Sequence, residues 1–331
     1  MPGDGKDLLP SLFTTQIAAH LHPTSSEFVT HIQEQTHTAL ETILTTPEHT
    51  LLNKSKQEIE FFTQLVGEFK LSVTALNSYL KNPEEFLLNS LLRIPKVATP
   101  SLCFGTAVHF ALEQFYRKLQ EHTLLSYEEL AAFFEQKLSQ ELLTPLDFTD
   151  RLQHGKEILA FYYNEVLAKT DSTQVLFIER FFGGSLTPVS LFDNEVEIKL
   201  SGRIDRVDVI NAAEKTVKIV DYKTGKSKSK NVLLGQTSLS DYSQRELELP
   251  ETIRGRLQRQ MVFYKLLCEL DPSFTYTLAE VEFDFIEPTG THKESHVAHV
   301  FTVSDQAVLD LKALIIEVMR EIRTLQFFDK N

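Results

Sequence analysis

The chain has 331 residues, 42% of them apolar and 24% charged, enough to bury one large core or two modest ones. Its formal net charge of −13 excludes a general nucleic-acid coat protein, which would be basic, but not an enzyme that meets phosphates through a local basic patch. Two distant cysteines, Cys103 and Cys268, with no CxxC pair, exclude a disulfide framework, a zinc site and an iron–sulfur cluster. With no signal-peptide pattern and no apolar run able to span a bilayer, a soluble cytoplasmic protein without a membrane partner is expected.

Residues 1–70 read as a polar-rich helical segment. Thr24 and Glu27 have capping-box spacing, and Phe28, Ile32, Ala39, Leu40 and Ile43 continue a helical stripe; a second helix is expected over 51–69. His20, His22, His31, His37 and His49 have no partners at ligand spacing and read as structural or surface residues. From Leu71 the pattern predicts a short helix starting at Ser72 or Thr74, a turn at Asn82 and Pro83, and more helix. In FGTAVHFALEQFYRKL, Phe104, Val108, Ala111, Leu112, Phe115 and Leu119 fall at helical spacing, flanked by His109, Glu113 and Tyr116. A lone helical histidine more often packs than ligates. Two further helices, around 126–140 and 147–168, predict a helical insert over about 120–170.

After Thr173 the period falls from 3.6 to 2. QVLFIERFF, VEIKLSGRIDRVDVI and TVKIVDYK read as successive strands, the last two joined by a short turn. The polar stretch 224–252 has no strong periodicity, which is uncommon for a loop of that length in a compact domain. A helix over 253–270, strands over 277–286 and 295–303, and a capped helix over 304–325 follow. The order predicts an α/β (α+β) fold with a mixed sheet flanked by helices.

The chemistry concentrates in two strands. Residues i and i+2 of a strand share a face, so Val217, Ile219, Asp221 and Lys223 lie on one side of β-strand VKIVDYK and Lys218, Val220 and Tyr222 on the other. An apolar face that ends in a carboxylate and an amine costs free energy unless the charges are paired or metal-bound. In GRIDRVD, Asp205 is read as sharing a face with Arg203 and Val207, where a neighbouring strand can bring it opposite Asp221. Two aspartates, waters and a phosphate oxygen suit Mg2+ or Mn2+. Lys223 would orient the attacking water or steady developing negative charge, and phosphodiester hydrolysis is the predicted reaction. Arg256, Gln260 and Tyr264, each one turn apart on a helix, and the exposed lysines of the run Lys215–Lys218–Lys223–Lys226–Lys228–Lys230 are candidate contacts to DNA. The GKS tripeptide at 225–227 resembles the end of a phosphate-binding loop, but Val220 stands where such a loop needs glycine, so no nucleotide site is expected.

Five motifs occur in one order: Ser72, Thr74, Leu76, Tyr79 and Pro83 as SxTxLxxYxxxP; Gly105 and His109 as GxxxH; GRIDRVD; VDYKTG; and Gln260 with Tyr264 as QxxxY. Together they resemble the RecB-like branch of the PD-(D/E)XK nuclease superfamily, in particular domains that end UvrD-like helicases, where RQMVFYKLL and LLPSLF also have counterparts. The resemblance implies a restriction-endonuclease-like core over 71–331, with 1–70 as a linker or remnant of an upstream helicase. It implies metal ligation by His109, Asp205, Asp221 and the backbone carbonyl of Tyr222, with Lys223 as the catalytic lysine. Gln260 and Tyr264, joined by Arg256, Thr74, Lys226 and Lys228, would meet DNA. The implied activity is that of a Mg2+- or Mn2+-dependent DNA exonuclease in repair or recombination, partnered by DNA and by a helicase fused upstream or supplied in trans. An endonuclease with the same site and a non-cleaving DNA-binding scaffold are the alternatives. Family members often place a cluster-binding cysteine near the position of Asn82; this chain does not, so no iron–sulfur cluster is expected.

Overall fold

The computed structural model describes residues 56–171, 174–237, 239–289 and 295–328. The expectations for Thr24 to Ile43, for the five early histidines and for LLPSLF lie outside these residues. The first described element is α1 (Lys56–Gly67), followed by α2 (Val73–Lys81), capped by Ser72 through the Ala75 N–H, and α3 (Pro83–Phe86), capped by Asn82. The predicted turn at Asn82 is thus a helix junction: its side chain caps α3 while its own N–H closes α2. Three helices follow, α4 (Pro100–Gln120), α5 (Tyr127–Leu138) and α6 (Pro145–Glu165), the last two falling where the insert over about 120–170 is expected. Thr99, Ser126 and Thr144 cap them, and proline occupies the first turn of α4 and α6, where a missing N–H leaves no bond unmade.

The strands are β1 (Val175–Phe182), β2 (Val189–Asp193), β3 (Val196–Leu200), β4 (Gly202–Asn211), β5 (Thr216–Lys223), β6 (Thr277–Thr289) and β7 (Ser295–Phe301). Between β5 and β6 lie α7 (Lys230–Leu233), α8 (Gln244–Glu248) and α9 (Arg256–Leu270); α10 (Asp305–Arg323) follows β7. Five strands form one sheet in the order β1-β4-β5-β6-β7. Every neighbouring pair is antiparallel except β5–β6, which is parallel, so the sheet is mixed as predicted. Helices cover it on both faces, as in a restriction-endonuclease-like core. No described helix is long and apolar enough to cross a membrane.

One expected strand divides. VEIKLSGRIDRVDVI is read from periodicity as continuous, but β3 pairs with β2 in a separate two-stranded sheet, and the chain enters the main sheet only after Ser201. Leu71 holds the break: its N–H donates to Lys199 O at 2.9 Å and its C=O accepts from Ser201 N at 3.0 Å. Ile198 and Leu200 before the break and Ile204 after it keep an even spacing of buried apolar residues, so period alone does not reveal the handover. Just beyond it, Gly202 lets α9 press onto the sheet; a Cβ there would stand 2.5 Å from Leu267 Cδ1.

Two apolar layers follow from the alternation of β5. Val217 and Ile219 enter the larger core with Ile204, Val207, Phe263, Phe283 and Leu311, under α2, α9 and α10. Val220 and Tyr222 enter the other with Val108, Leu112 and Phe115 of α4 and Leu159 of α6. β5 is thus buried on both faces, and its C-terminal end carries Asp221 and Lys223. The aperiodic stretch after it is not a loose loop: Glu246 is fully buried and bonds Arg259 Nη2 at 2.7 Å and Arg256 Nε at 2.9 Å, which fastens α8 to the start of α9.

Candidate metal centre

The site forms where β4 and β5 part. Their paired residues run from Asn211↔Thr216 to Arg206↔Val220 and stop there. The next step would set Asp205 against Asp221, but the Tyr222 N–H instead donates to Asp205 Oδ2 at 2.8 Å. A carboxylate has replaced a ladder carbonyl, which holds the strands apart and fixes one oxygen of Asp205. The expected sharing of a face by Asp205 and Val207 does not hold. Val207 packs with Ile204 in the larger core, whereas Asp205 turns to the opposite layer and meets His109 Nδ1 at 3.4 Å.

His109 reaches that position because α4 runs close to the end of β5. Gly105, one turn earlier, faces Thr224, and a Cβ there would be 3.3 Å from Thr224 Oγ1. The imidazole also stands edge-on to the Tyr222 ring, at 5.9 Å and 77°. Below it, Arg206 donates to both oxygens of Asp208 at 2.8 and 2.9 Å and to the Tyr222 hydroxyl at 2.6 Å, with its guanidinium 4.2 Å over the Tyr116 ring. This buried cluster locks the Tyr222 side chain and hence the strand on which Asp221 and Lys223 sit. Burial pulls the His109 pKa down, but the hydrogen bond and charge of Asp205, with Asp221 and Glu179 behind it, outweigh burial and raise it.

Glu179 is the residue that sequence reading missed. Ile178↔Arg206 and Arg180↔Ile204 bracket it and Asp205 across the β1–β4 ladder. His109, Glu179 and Asp205 each offer a ligand atom, and these atoms all lie within 4.8 Å of one another. Glu179 has φ 50, the left-handed region that a bulky residue occupies at a cost of about 1–3 kcal/mol. Burial, then the charges of Asp205 and Glu113, push its carboxyl up to about 7 against the opposing His109 and Arg203. The available signal was a lone acid beside Arg180 in a strand of otherwise apolar residues, too common a feature to single out.

Asp221 faces the other layer. Tyr264 donates its hydroxyl to Asp221 Oδ1 at 2.6 Å and Gln260 donates Nε2 to the same oxygen at 3.0 Å. The Lys223 ammonium lies 2.5 Å from Asp221 Oδ2 and donates to Gln260 Oε1 at 3.1 Å. Oδ2 makes that ion pair without a well-formed hydrogen bond. Burial, together with the Asp205 charge, raises the Asp221 pKa despite Lys223.

The expected DNA contacts divide. Gln260 and Tyr264 converge on the site, but on Asp221 itself, and Tyr264 is only 4% exposed. Arg256 is engaged by Glu246 and by Asp241 O at 2.5 Å. Thr74, Lys226 and Lys228 are exposed, and Lys228 and Lys226 follow directly from the site on the exit of β5. The geometry makes Tyr264 a positioning residue for Asp221. Tyr264→Phe is therefore expected to raise the metal concentration needed for half-maximal activity by about 10- to 100-fold and to leave KM for DNA nearly unchanged. A raised KM with an unchanged metal titration would instead assign the hydroxyl to DNA.

The imidazole nitrogen and the carboxylates of Glu179 and Asp205, with ligand atoms within 4.8 Å of one another, suit a hard divalent cation, and the charge of Asp221 bears on His109 and Asp205 from beside them. Burial and the charge of Asp205 hold the carboxyls of Glu179 and Asp221 above their ordinary values, and one Asp221 oxygen lacks a well-formed hydrogen bond. A cation would relieve all three conditions, so the residues fit one.

The model of the PD-(D/E)XK nuclease superfamily matches residues 70–329. Among solved structures, that of a candidate exonuclease from Eubacterium rectale is similar over 83% of this chain and 88% of that one, at 10% sequence identity and a TM-score of 0.44.

Proposed function

The chain belongs to the PD-(D/E)XK nuclease superfamily, and from that premise we propose that it is a Mg2+- or Mn2+-dependent DNA exonuclease that works with a helicase in repair or recombination. The observation that supports this most is the meeting of His109, Glu179 and Asp205 within 4.8 Å, beside the Asp221–Lys223 ion pair at 2.5 Å. His109, Glu179, Asp205 and Asp221 would hold the cation, with the Tyr222 carbonyl as a further ligand. Such a cation supplies Lewis-acid chemistry, charge on a phosphoryl oxygen and a more acidic water.

The remaining work falls to this chain's own groups. Lys223 is fixed by Asp221 and Gln260, so its ammonium needs no reorganisation to orient the attacking water or to steady negative charge on the phosphate. Tyr264 and Gln260 keep Asp221 in one rotamer. Lys226 and Lys228, exposed on the exit from β5, meet the phosphates of the incoming strand and supply the local positive charge that the acidic whole lacks. The test is digestion of end-labelled linear single- and double-stranded DNA and of covalently closed circles. Cleavage of linear DNA only, restored by Mg2+ or Mn2+ after EDTA treatment, is the expected result. Cleavage of closed circles would make the enzyme an endonuclease, and undiminished activity in EDTA would sink the metal site.

A further inference from the structure

Next to the metal centre, on the same two strands, stands a pair of side chains that hydrolysis does not require. Phe181 of β1 and Arg203 of β4 are cross-strand partners, one strand repeat of about 6.5–7 Å beyond Glu179 and Asp205. Phe181 is 51% exposed and the Arg203 side chain 63% exposed. β1 is an edge strand, so this end of the face is open. Among the described residues no ring or cation covers Phe181, and the ion pair of Arg203 is with Glu179, at a long 3.4 Å. The Phe181 ring lies over Gly184, where a Cβ would stand 3.9 Å from it. Gly184 in turn lines a cleft of about 160 Å³ with Lys70, Glu197 and Lys199, where the Lys70 ammonium donates to Gly183 O at 2.7 Å.

A lone exposed phenylalanine needs no explanation. Here, however, it adjoins the reacting centre on one side and, through Gly184, a cleft with two lysines on the other, and its cross-strand partner is a guanidinium. An aromatic face next to a cation matches the two surfaces that each nucleotide presents, a flat base and a charged phosphate. A base inside a duplex has both faces covered by its neighbours, so only an unpaired base can stack on Phe181. We propose that Phe181 and Arg203 form a stacking platform for the nucleotide next to the bond being cut, so that the substrate enters as single-stranded DNA. Arg203 holds the adjoining phosphate, and Lys70 and Lys199 line the path onward. The proposal rests on the nuclease reading for the meaning of the adjacent centre, but its contacts are testable without cleavage.

The experiment uses the full chain and single-stranded oligonucleotides in which one abasic nucleotide is moved along the sequence. With Mg2+, wild type should lose about tenfold in kcat/KM when the abasic position adjoins the cleaved bond, the order of effect of one lost base stack. Phe181→Ala should lose a similar factor on intact DNA and nothing more on the abasic oligonucleotide, because both changes delete one contact. Phe181→Trp should behave as wild type. Wild-type kcat/KM in Phe181→Ala, or losses that multiply, would overturn the platform while leaving the nuclease reading intact. Fluorescence anisotropy in EDTA separates the two in the other direction. The same non-additive loss in binding, from a protein that cuts no DNA when Mg2+ or Mn2+ is supplied, would support the platform and reject the nuclease reading; wild type that binds no single-stranded DNA would reject the platform.

Discussion

Asp221→Asn is expected to lower kcat by about 1,000-fold or more without unfolding the protein. The substitution keeps the shape of the side chain, and the remaining carbonyl oxygen still accepts from Tyr264 and Gln260. What it removes is charge at the point where the Lys223 ammonium is 2.5 Å away. An amide nitrogen in place of Oδ2 would face that ammonium donor to donor, so Lys223 would swing off its position while the cation lost a ligand. Both losses act on the transition state, which is why kcat and not KM should carry the effect. In the metal-free protein the change should be nearly neutral for stability, because a buried carboxylate next to Asp205 is itself unfavourable. The discriminating measurement is the shift in Tm on adding Mg2+, since a ligand that binds only the folded state stabilises by mass action. Wild type should shift and Asp221→Asn should shift far less. Retained activity together with a wild-type Tm shift would remove Asp221 from the centre.

That Asp221 and Lys223 form a unit was legible in VKIVDYK because a strand has only two faces, and the period fixes both. Val217, Ile219 and Asp221 do share a layer, and Val220 and Tyr222 do share the other. The same rule failed for Asp205. The ladder ends at Arg206↔Val220, and beyond a splayed end alternation no longer dictates where a side chain points. Glu179 was hidden for a related reason, since its positive φ breaks the alternation of β1 at the very residue that matters. The motifs located His109 and Tyr264, but not the partner of the tyrosine. A hydroxyl on a helix face can equally meet solvent, DNA or a carboxylate, and only the packing of α9 against β5 decides. Strain and splay thus coincide at the site, as expected where local rules yield to chemistry.

The stretch 224–252 was illegible for a different reason, and its anchor leads to the largest expected effect on stability. Its order comes from Glu246, an acid with no helical or strand period to announce it. Glu246 and Arg259 are both fully buried, and Arg259 also donates to Asn77 Oδ1 at 2.6 Å and to the Ile253 and Arg254 carbonyls. Glu246→Ala would leave a guanidinium in the core with neutral partners only, and should destabilise by about 3–5 kcal/mol in urea unfolding at neutral pH. Replacing both members by apolar residues of similar volume, as in Glu246→Leu with Arg259→Met, should recover much of that loss, since a buried pair gains little over good packing. The pair also sets a pH window. Burial raises the Glu246 carboxyl, but bonds from Arg256, the Ser243 N–H and Arg259 outweigh it and hold the pKa near about 2, below its ordinary 4.5. A depressed carboxyl stabilises fully above the unfolded value and progressively less as pH falls from 4.5 through 2. Wild type should therefore lose stability across that window, and Glu246→Gln, which has no proton to gain, should lose less. Because Arg259 precedes Gln260 directly, the single substitution should also loosen the hold on Asp221 and Lys223, lowering kcat even where the protein remains folded. A variant with wild-type kcat but reduced stability would show that α9 keeps Gln260 in place through its packing on the sheet alone.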